Sequence, residues 1–203
     1  MGAYCPVPFA DDNVLAAIRH DIIDPTLRGL QNEQFDFRGF LYFGIMLTPQ
    51  GPKLLEYNVR LGDPEAEVLL PALDSSLLEL IEATLDGRLA QTTVRQRPGA
   101  YVGVVLASGG YPASGFPVCL PITGLDQLHP STLAFHGATR RTAEGELVTN
   151  GGRVLVLVAH GQDLEEAVGR VYREAEKVQF EGMYIRPDIG QRPEPTGIFS
   201  AVR

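Results

Sequence analysis

Residues 54–67 read LLEYNVRLGDPEAE, and in this stretch Glu56, Asn58 and Arg60 alternate with Leu55, Tyr57 and Val59. If Lys53–Arg60 is extended, alternate side chains share a face. A carboxylate, an amide and a guanidinium then line one surface. At a rise of about 3.3 Å per residue, Glu56 and Asn58 stand ~6.6 Å apart along the strand, and their oxygens can converge on one hard cation. Magnesium is the ion expected, because it takes one or a few protein oxygens and completes its octahedron with water and phosphate. Arg60, one step further on, is placed to hold a phosphate or carboxylate through its planar fork. The turn Gly62-Asp63-Pro64-Glu65 comes next and adds two carboxylates. An E-x-N-x-R strand taken alone is most often the wet side of a half-buried sheet. Here the preceding run FLYFGIML is apolar on both faces, which predicts a strand pair in the middle of a packed sheet.

Those strands need partners. Phe40–Leu47, the turn TPQGP and Lys53–Val59 read as a buried hairpin. Before it, Asp11 or Asp12 can cap a helix whose Leu15, Ile18 and Ile22 fall on one side, with Pro25 interrupting or kinking it. After it, Ser76 and Glu79 have capping-box spacing for a helix with Leu77, Leu80, Ile81 and Leu85 on its apolar face, and Gly87 stands where it stops. The polar stretch AQTTVRQRP, residues 90–98, separates this region from the rest of the chain, and a domain boundary is expected near residue 95, dividing 1–94 from 95–203. Beyond it, YVGVVLA and RVLVLVA read as strands, Asn150-Gly151 as a type I′ hairpin turn, and Asp163 with Glu166 as the start of a last helix bearing Leu164, Ala167, Val168, Val171, Ala175 and Val178 at a 3.6-residue period. The fold class expected is α+β. The tail after Gly190 shows no period.

Composition narrows the function classes. Of 203 residues, 25 are acidic and 17 basic, for a net charge of −8, which argues against a nucleic-acid surface or an anionic membrane partner. Cys5 and Cys119 fit neither a disulfide framework nor a CxxC metal site. His20, His129, His136 and His160 show no metal spacing. No apolar run reaches membrane-span length and the start lacks the pattern of a signal peptide. A cytosolic location is expected.

Several motifs together carry a family resemblance. The stretch from Glu56 through RLGDPE resembles the signature of glycinamide ribonucleotide synthetase (phosphoribosylamine–glycine ligase) of the ATP-grasp superfamily. MGAYCPVP resembles the family's GGMGAYSP segment, and GFLYFGIML its hairpin strand. VLASGGYP, PITGLD, FHGAT, LVTNGGRVL, FEGMYIR and DIG resemble its C-terminal domain in the same order. Coverage runs from Met1 to about Gly190.

The resemblance implies the C-terminal part of an ATP-grasp domain, an antiparallel sheet with helices, followed by a small β-rich domain with a helix. It implies a ligase that uses ATP and Mg²⁺, with Mn²⁺ as an alternative ion. Glycine would be phosphorylated on its carboxylate and captured by the amine of phosphoribosylamine. Glu56 and Asn58 match the metal-binding pair, and Arg60 a catalytic residue placed for phosphate or developing acyl-phosphate charge. Asp63 and Glu65 match the substrate side, where orienting ribose hydroxyls and orienting the amine are both open. Leu61, Glu67 and Cys5 depart from the residues usual there, phenylalanine, glutamine and serine; Glu67 alters local charge most and is expected to be tolerated. Met1 coincides with a methionine internal to the family pattern. The chain alone is therefore expected to be inert or nearly so, as an excised fragment, a product of internal initiation, or one part of a split ligase whose N-terminal half is a separate chain. The alternative is a noncatalytic, partner-binding module.

The remaining segments read plainly. SGGYP follows a strand but lacks both GxGxxG and GxxxxGK[ST], so it is expected to be a turn. His136 is expected to be packed or hydrogen-bonded, Cys5 inert, and the acidic side of the last helix solvated.

Overall fold

A computed structural model describes residues 1–191. Its strands are β1 (Gly2–Cys5), β2 (Tyr42–Thr48), β3 (Gly51–Asn58), β4 (Ala100–Ser108), β5 (Leu133–His136), β6 (Thr139–Arg141), β7 (Leu147–Thr149), β8 (Arg153–Gly161) and β9 (Met183–Tyr184). Its helices are α1 (Asp12–Ile18), α2 (Asp24–Asn32), α3 (Glu65–Ala72), α4 (Leu77–Leu85) and α5 (Leu164–Ala175). They form two compact units. Among the described residues, one joins Met1–Pro6, Asp63–Asp74 and residues 96–191; the other joins Val7–Gly62 and Ser75–Arg95.

The first unit is built on a five-stranded sheet in the order β1-β4-β8-β5, with β9 also pairing β4, all antiparallel. Every residue of β4 is buried, which accounts for a run, AYVGVVLAS, without polar alternation. Val102, Val104 and Leu106 pack with Leu155, Leu157, Ala167, Val171 and Val178 toward α5, while Tyr101, Val105, Val156 and Val158 pack with Val68 and Ala72 of α3 on the opposite face. Burying a Val or Leu side chain is worth about 1.5–3 kcal/mol, so these two layers hold the unit together. Asp163 caps α5 by accepting from the Glu166 N–H at 2.8 Å, and Glu166 in turn accepts from the Gln162 N–H at 2.6 Å.

The expected Asn150-Gly151 hairpin does not form. β7 pairs β6, not β8, and neither Asn150 nor Gly151 adopts a positive φ, as a type I′ turn requires. The segment is instead a tight corner. The Asn150 N–H donates to Ala138 O at 2.8 Å, Ser108 Oγ donates to Gly151 O at 2.8 Å, and a Cβ on Gly152 would fall 2.3 Å from the Tyr111 ring. Glycine is needed there for close approach.

In the second unit, Asp11 caps α1 by accepting from the Val14 N–H at 2.8 Å. Ile22 is buried and Ile18 half-buried, as expected, whereas Leu15 is exposed and Val14 takes its place in the core. The regular helix is interrupted just before Pro25 rather than at it: a π-helical turn, Arg19–Ile23, joins α1 to α2 and places the proline in the first turn of α2, where a missing N–H is tolerated. Ser76 caps α4 and Gly87 comes after it at φ +70, though Ile81 and Leu85 of the expected apolar face are exposed. β2 and β3 form a sheet of their own with no other strand among the described residues. The expectation of a hairpin in the middle of a packed sheet is thus not met, and Met46, Leu55 and Tyr57 are exposed. A continuous apolar run marks hydrophobic strands without saying which other strands lie beside them.

Candidate active site

Glu56 and Asn58 lie near the end of β3. Gly44 pairs with Glu56 and Tyr42 with Asn58, but Ile45 pairs with Leu54, so Leu55 is the extra residue of a β-bulge. Beyond the bulge the alternation resumes, and Asn58 Nδ2 donates to Glu56 Oε1 at 3.2 Å. On the opposite face Tyr57 fixes the strand: its hydroxyl lies 2.7 Å from Thr26 Oγ1 of α2, and its ring meets Phe43 edge-on at 5.5 Å. A Cβ on Gly44 would come within 2.8 Å of Glu56 Cγ, so the glycine of the FLYFGIML run leaves the space this carboxylate occupies.

This pair fits Mg²⁺ chemically. Both groups supply hard oxygens, Glu56 is exposed and Asn58 half-buried, leaving room for the water and phosphate ligands that the ion retains. To ligate, Asn58 must turn its amide so that Oδ1 rather than Nδ2 faces the ion. Among the described residues no three His, Cys, Asp or Glu side chains are grouped as a metal site, so the donor set rests on the carboxylate and the amide.

Arg60 departs from the expected strand. β3 ends at Asn58, and Arg60, in the bend beyond it, donates from Nη1 to Leu61 O at 2.8 Å with its side chain exposed. It therefore does not share the strand face of Glu56 and Asn58.

Asp63 and Glu65 belong to the other compact unit. Asp63 is held by a residue the sequence did not single out: Arg153, first in β8, places Nη2 2.9 Å from Asp63 Oδ2 and donates from Nη1 to Asp63 O at 2.7 Å. The only signal in the sequence was a charge at the head of an apolar strand. Glu65 opens α3, a helix also missed because Pro71 lies inside it. Two residues further along α3, Glu67 has a buried Oε2 without a hydrogen-bond partner. Burial pushes its carboxyl above the ordinary value, and the charges of Asp63 and Glu65 add to the rise against the opposing effect of its own backbone N–H and of Arg153.

The other residues considered sit as plain structure. His136 Nδ1 lies 3.0 Å from Thr139 Oγ1, Gln96 Nε2 donates to Cys5 Sγ at 3.1 Å, and residues 109–112 form a turn directly after β4. No helix among the described residues is long and apolar enough to cross a membrane.

Comparison with known proteins bears on the family. Residues 1–66 match the ATP-grasp (A) domain of phosphoribosylglycinamide synthetase, and residues 101–192 match its C domain. A phosphoribosylamine–glycine ligase of Halalkalibacterium halodurans is 46% identical over 95% of this chain and 44% of its own length. A trifunctional purine biosynthetic protein adenosine-3 of Drosophila melanogaster is 39% identical over 95% of this chain and 14% of its own. The crystal structure of a phosphoribosylamine–glycine ligase from Thermotoga maritima superposes with a TM-score of 0.80 at 39% identity, covering 93% of this chain and 46% of that one. The chain thus spans less than half the length of these ligases. With consecutive segments matching the ATP-grasp and C domains of one enzyme, and with so close a structural likeness, it belongs to the phosphoribosylglycinamide synthetase family.

Proposed function

We propose that this chain supplies part of a ligase joining glycine to 5-phosphoribosylamine at the expense of ATP, giving glycinamide ribonucleotide, ADP and phosphate. In this reading residues 1–94 are the C-terminal part of the ATP-grasp domain and 95–203 the C-terminal domain. The observation that carries it is the Asn58–Glu56 contact of 3.2 Å on a strand within the segment that matches the ATP-grasp domain.

Glu56 and Asn58 would hold Mg²⁺, with Mn²⁺ as a substitute. The ion supplies charge neutralisation on the phosphate oxygens during transfer. A glycine carboxylate oxygen attacks the γ-phosphorus, the bond to the β–γ bridging oxygen breaks, and ADP leaves. The glycyl phosphate then loses phosphate when the phosphoribosylamine nitrogen attacks its carbonyl carbon and gives up a proton. Arg60 would turn its guanidinium from Leu61 O toward the transferring phosphoryl group, where its positive charge would stabilise the developing anion. Asp63, held by Arg153, and Glu65 are assigned to the substrate, with orienting ribose hydroxyls or the amine as their role.

Because the chain spans 44% of a homologous ligase, turnover is expected only in the presence of a polypeptide carrying the remainder. ADP release with glycine and phosphoribosylamine tests this. The chain alone should give none, the combination should give turnover, and Glu56→Gln should remove it. Turnover undiminished in Glu56→Gln would overturn the metal assignment. A second reading, a noncatalytic partner-binding chain, draws on the exposed side chains of Phe35, Leu55, Val59 and Leu78; it gains if the combination binds without turnover.

A further inference from the structure

Beside α5, a cavity of about 260 Å³ is lined by His129, Ser131, Thr132, Arg170, Arg173 and Glu174. Most of its polar groups already have partners. Arg170 is bound to Glu166 and to His160 O. Glu174 accepts from Lys177 Nζ and from the His129 N–H, each at 2.7 Å. His129 Nδ1 accepts from the Ser131 N–H at 3.2 Å and lies 2.7 Å from Ser131 Oγ.

Arg173 is different. Among the described residues its guanidinium forms no hydrogen bond or ion pair, and the Thr132 hydroxyl likewise has no partner. The guanidinium rests over Gly169, one turn earlier in the helix, where an added Cβ would stand 3.1 Å from Nη1. A glycine inside a helix costs about 0.5–1 kcal/mol relative to alanine; here its missing side chain is the space in which the arginine head lies. Counting Glu174 against Lys177, the lining keeps the positive charges of Arg170, offset by Glu166, and of Arg173, offset by nothing. In a chain of net charge −8 this is a local positive cavity with a hydroxyl donor at its edge.

We infer that this cavity binds a phosphate-type oxyanion, free phosphate or a phosphate monoester, with Arg173 as its charged anchor and Thr132 as a hydroxyl donor. An arginine fork gives two parallel charge-assisted bonds to such a group. The inference does not depend on the ligase reading, since none of these residues has a part in it.

The test is a titration of the ¹⁵N-labelled chain with inorganic phosphate and, separately, methyl phosphate, at constant ionic strength. Saturable shifts are expected at the Ser131, Thr132 and Glu174 amides. Loss of the fork weakens binding about tenfold or more in Arg173→Ala, and Gly169→Ala, which crowds the guanidinium while favouring the helix, weakens it to a smaller extent. Tighter methyl phosphate marks a monoester as the ligand, and tighter inorganic phosphate marks the free ion. Absence of saturable shifts at these amides, or binding that Arg173→Ala leaves intact, overturns the inference.

Discussion

Gly44 lies directly across the β2–β3 ladder from Glu56, and a methyl group at Gly44 would sit 2.8 Å from Glu56 Cγ. The atom in the way is close to the backbone, so a different χ1 is needed to avoid it, and that takes the carboxylate away from Asn58. Gly44→Ala is expected to destabilise the chain by about 1 kcal/mol through overpacking. Pairing it with Glu56→Ala should recover most of that loss, because the obstructing side chain is gone. A double-mutant cycle from urea unfolding measures the coupling; strictly additive effects would mean that Gly44 does not shape the Glu56 conformation.

Glu67 gives a pH-dependent prediction. Its folded-state pKa lies above the ordinary value of 4.5, first because of burial and then because of Asp63 and Glu65. Between the ordinary and the raised value the native chain binds more protons than the unfolded one, so this group makes stability fall as pH rises through that window. Above the window the whole penalty is present. Glu67→Gln removes the charge, and should raise stability at neutral pH by about 1 kcal/mol, or ~2–4 °C in Tm for a chain of this size. The gap should close as pH falls below 4.5. Thermal unfolding across pH checks it, and a gap that does not vary with pH would rule out ionisation as its source.

Legibility in the sequence tracks the range of the interactions. Asp163 and Ser76 act within three residues of themselves, and the helices they cap are where the capping patterns put them. The common face of Glu56 and Asn58 was legible because period-2 alternation holds over two residues. The bulge at Leu55 was not, since it depends on a partner strand whose register the sequence leaves open. Arg60 left the face for a related reason: the ladder ends at Asn58, and only pairing reveals that. Asp63 and Arg153 are 90 residues apart, and no local pattern links them. The Asn150-Gly151 dipeptide carries a strong turn signal but forms no hairpin, because packing against Tyr111 and Ala138 decides the path there.

The capping contacts themselves can be measured. Asp163→Ala removes an acceptor 2.8 Å from the Glu166 N–H at the start of the helix that covers one face of the main sheet. It should cost about 1 kcal/mol, within the roughly 0.5–2 kcal/mol range for such caps. Ser76→Ala, whose bond to the Glu79 N–H is 3.3 Å long, should cost less. Urea midpoints of the two variants give the order, and the reverse order would show that α4 contributes more to cooperative unfolding than α5 does.

Glu174 should show the opposite pH response to Glu67. Burial alone would raise its carboxyl, but the bonds from Lys177 and from the His129 N–H, with the charge of Lys177, hold it below the ordinary value of 4.5. Its carboxylate therefore contributes stability that is fully present above the ordinary value and is lost as pH falls through the lowered folded one. The Glu174 side chain is 12% exposed but that of Lys177 is 35% exposed, so solvent screening limits the ion pair, and Glu174→Gln is expected to cost about 1 kcal/mol at neutral pH. The amide oxygen can still accept from His129, so the loss falls mainly on Lys177. That makes it sensitive to salt: raising ionic strength should narrow the difference between Glu174→Gln and the parent, as should acidification. Urea unfolding at two salt concentrations and across the acid range tests both trends, and a difference unmoved by either would place the contribution of Glu174 in packing rather than in charge.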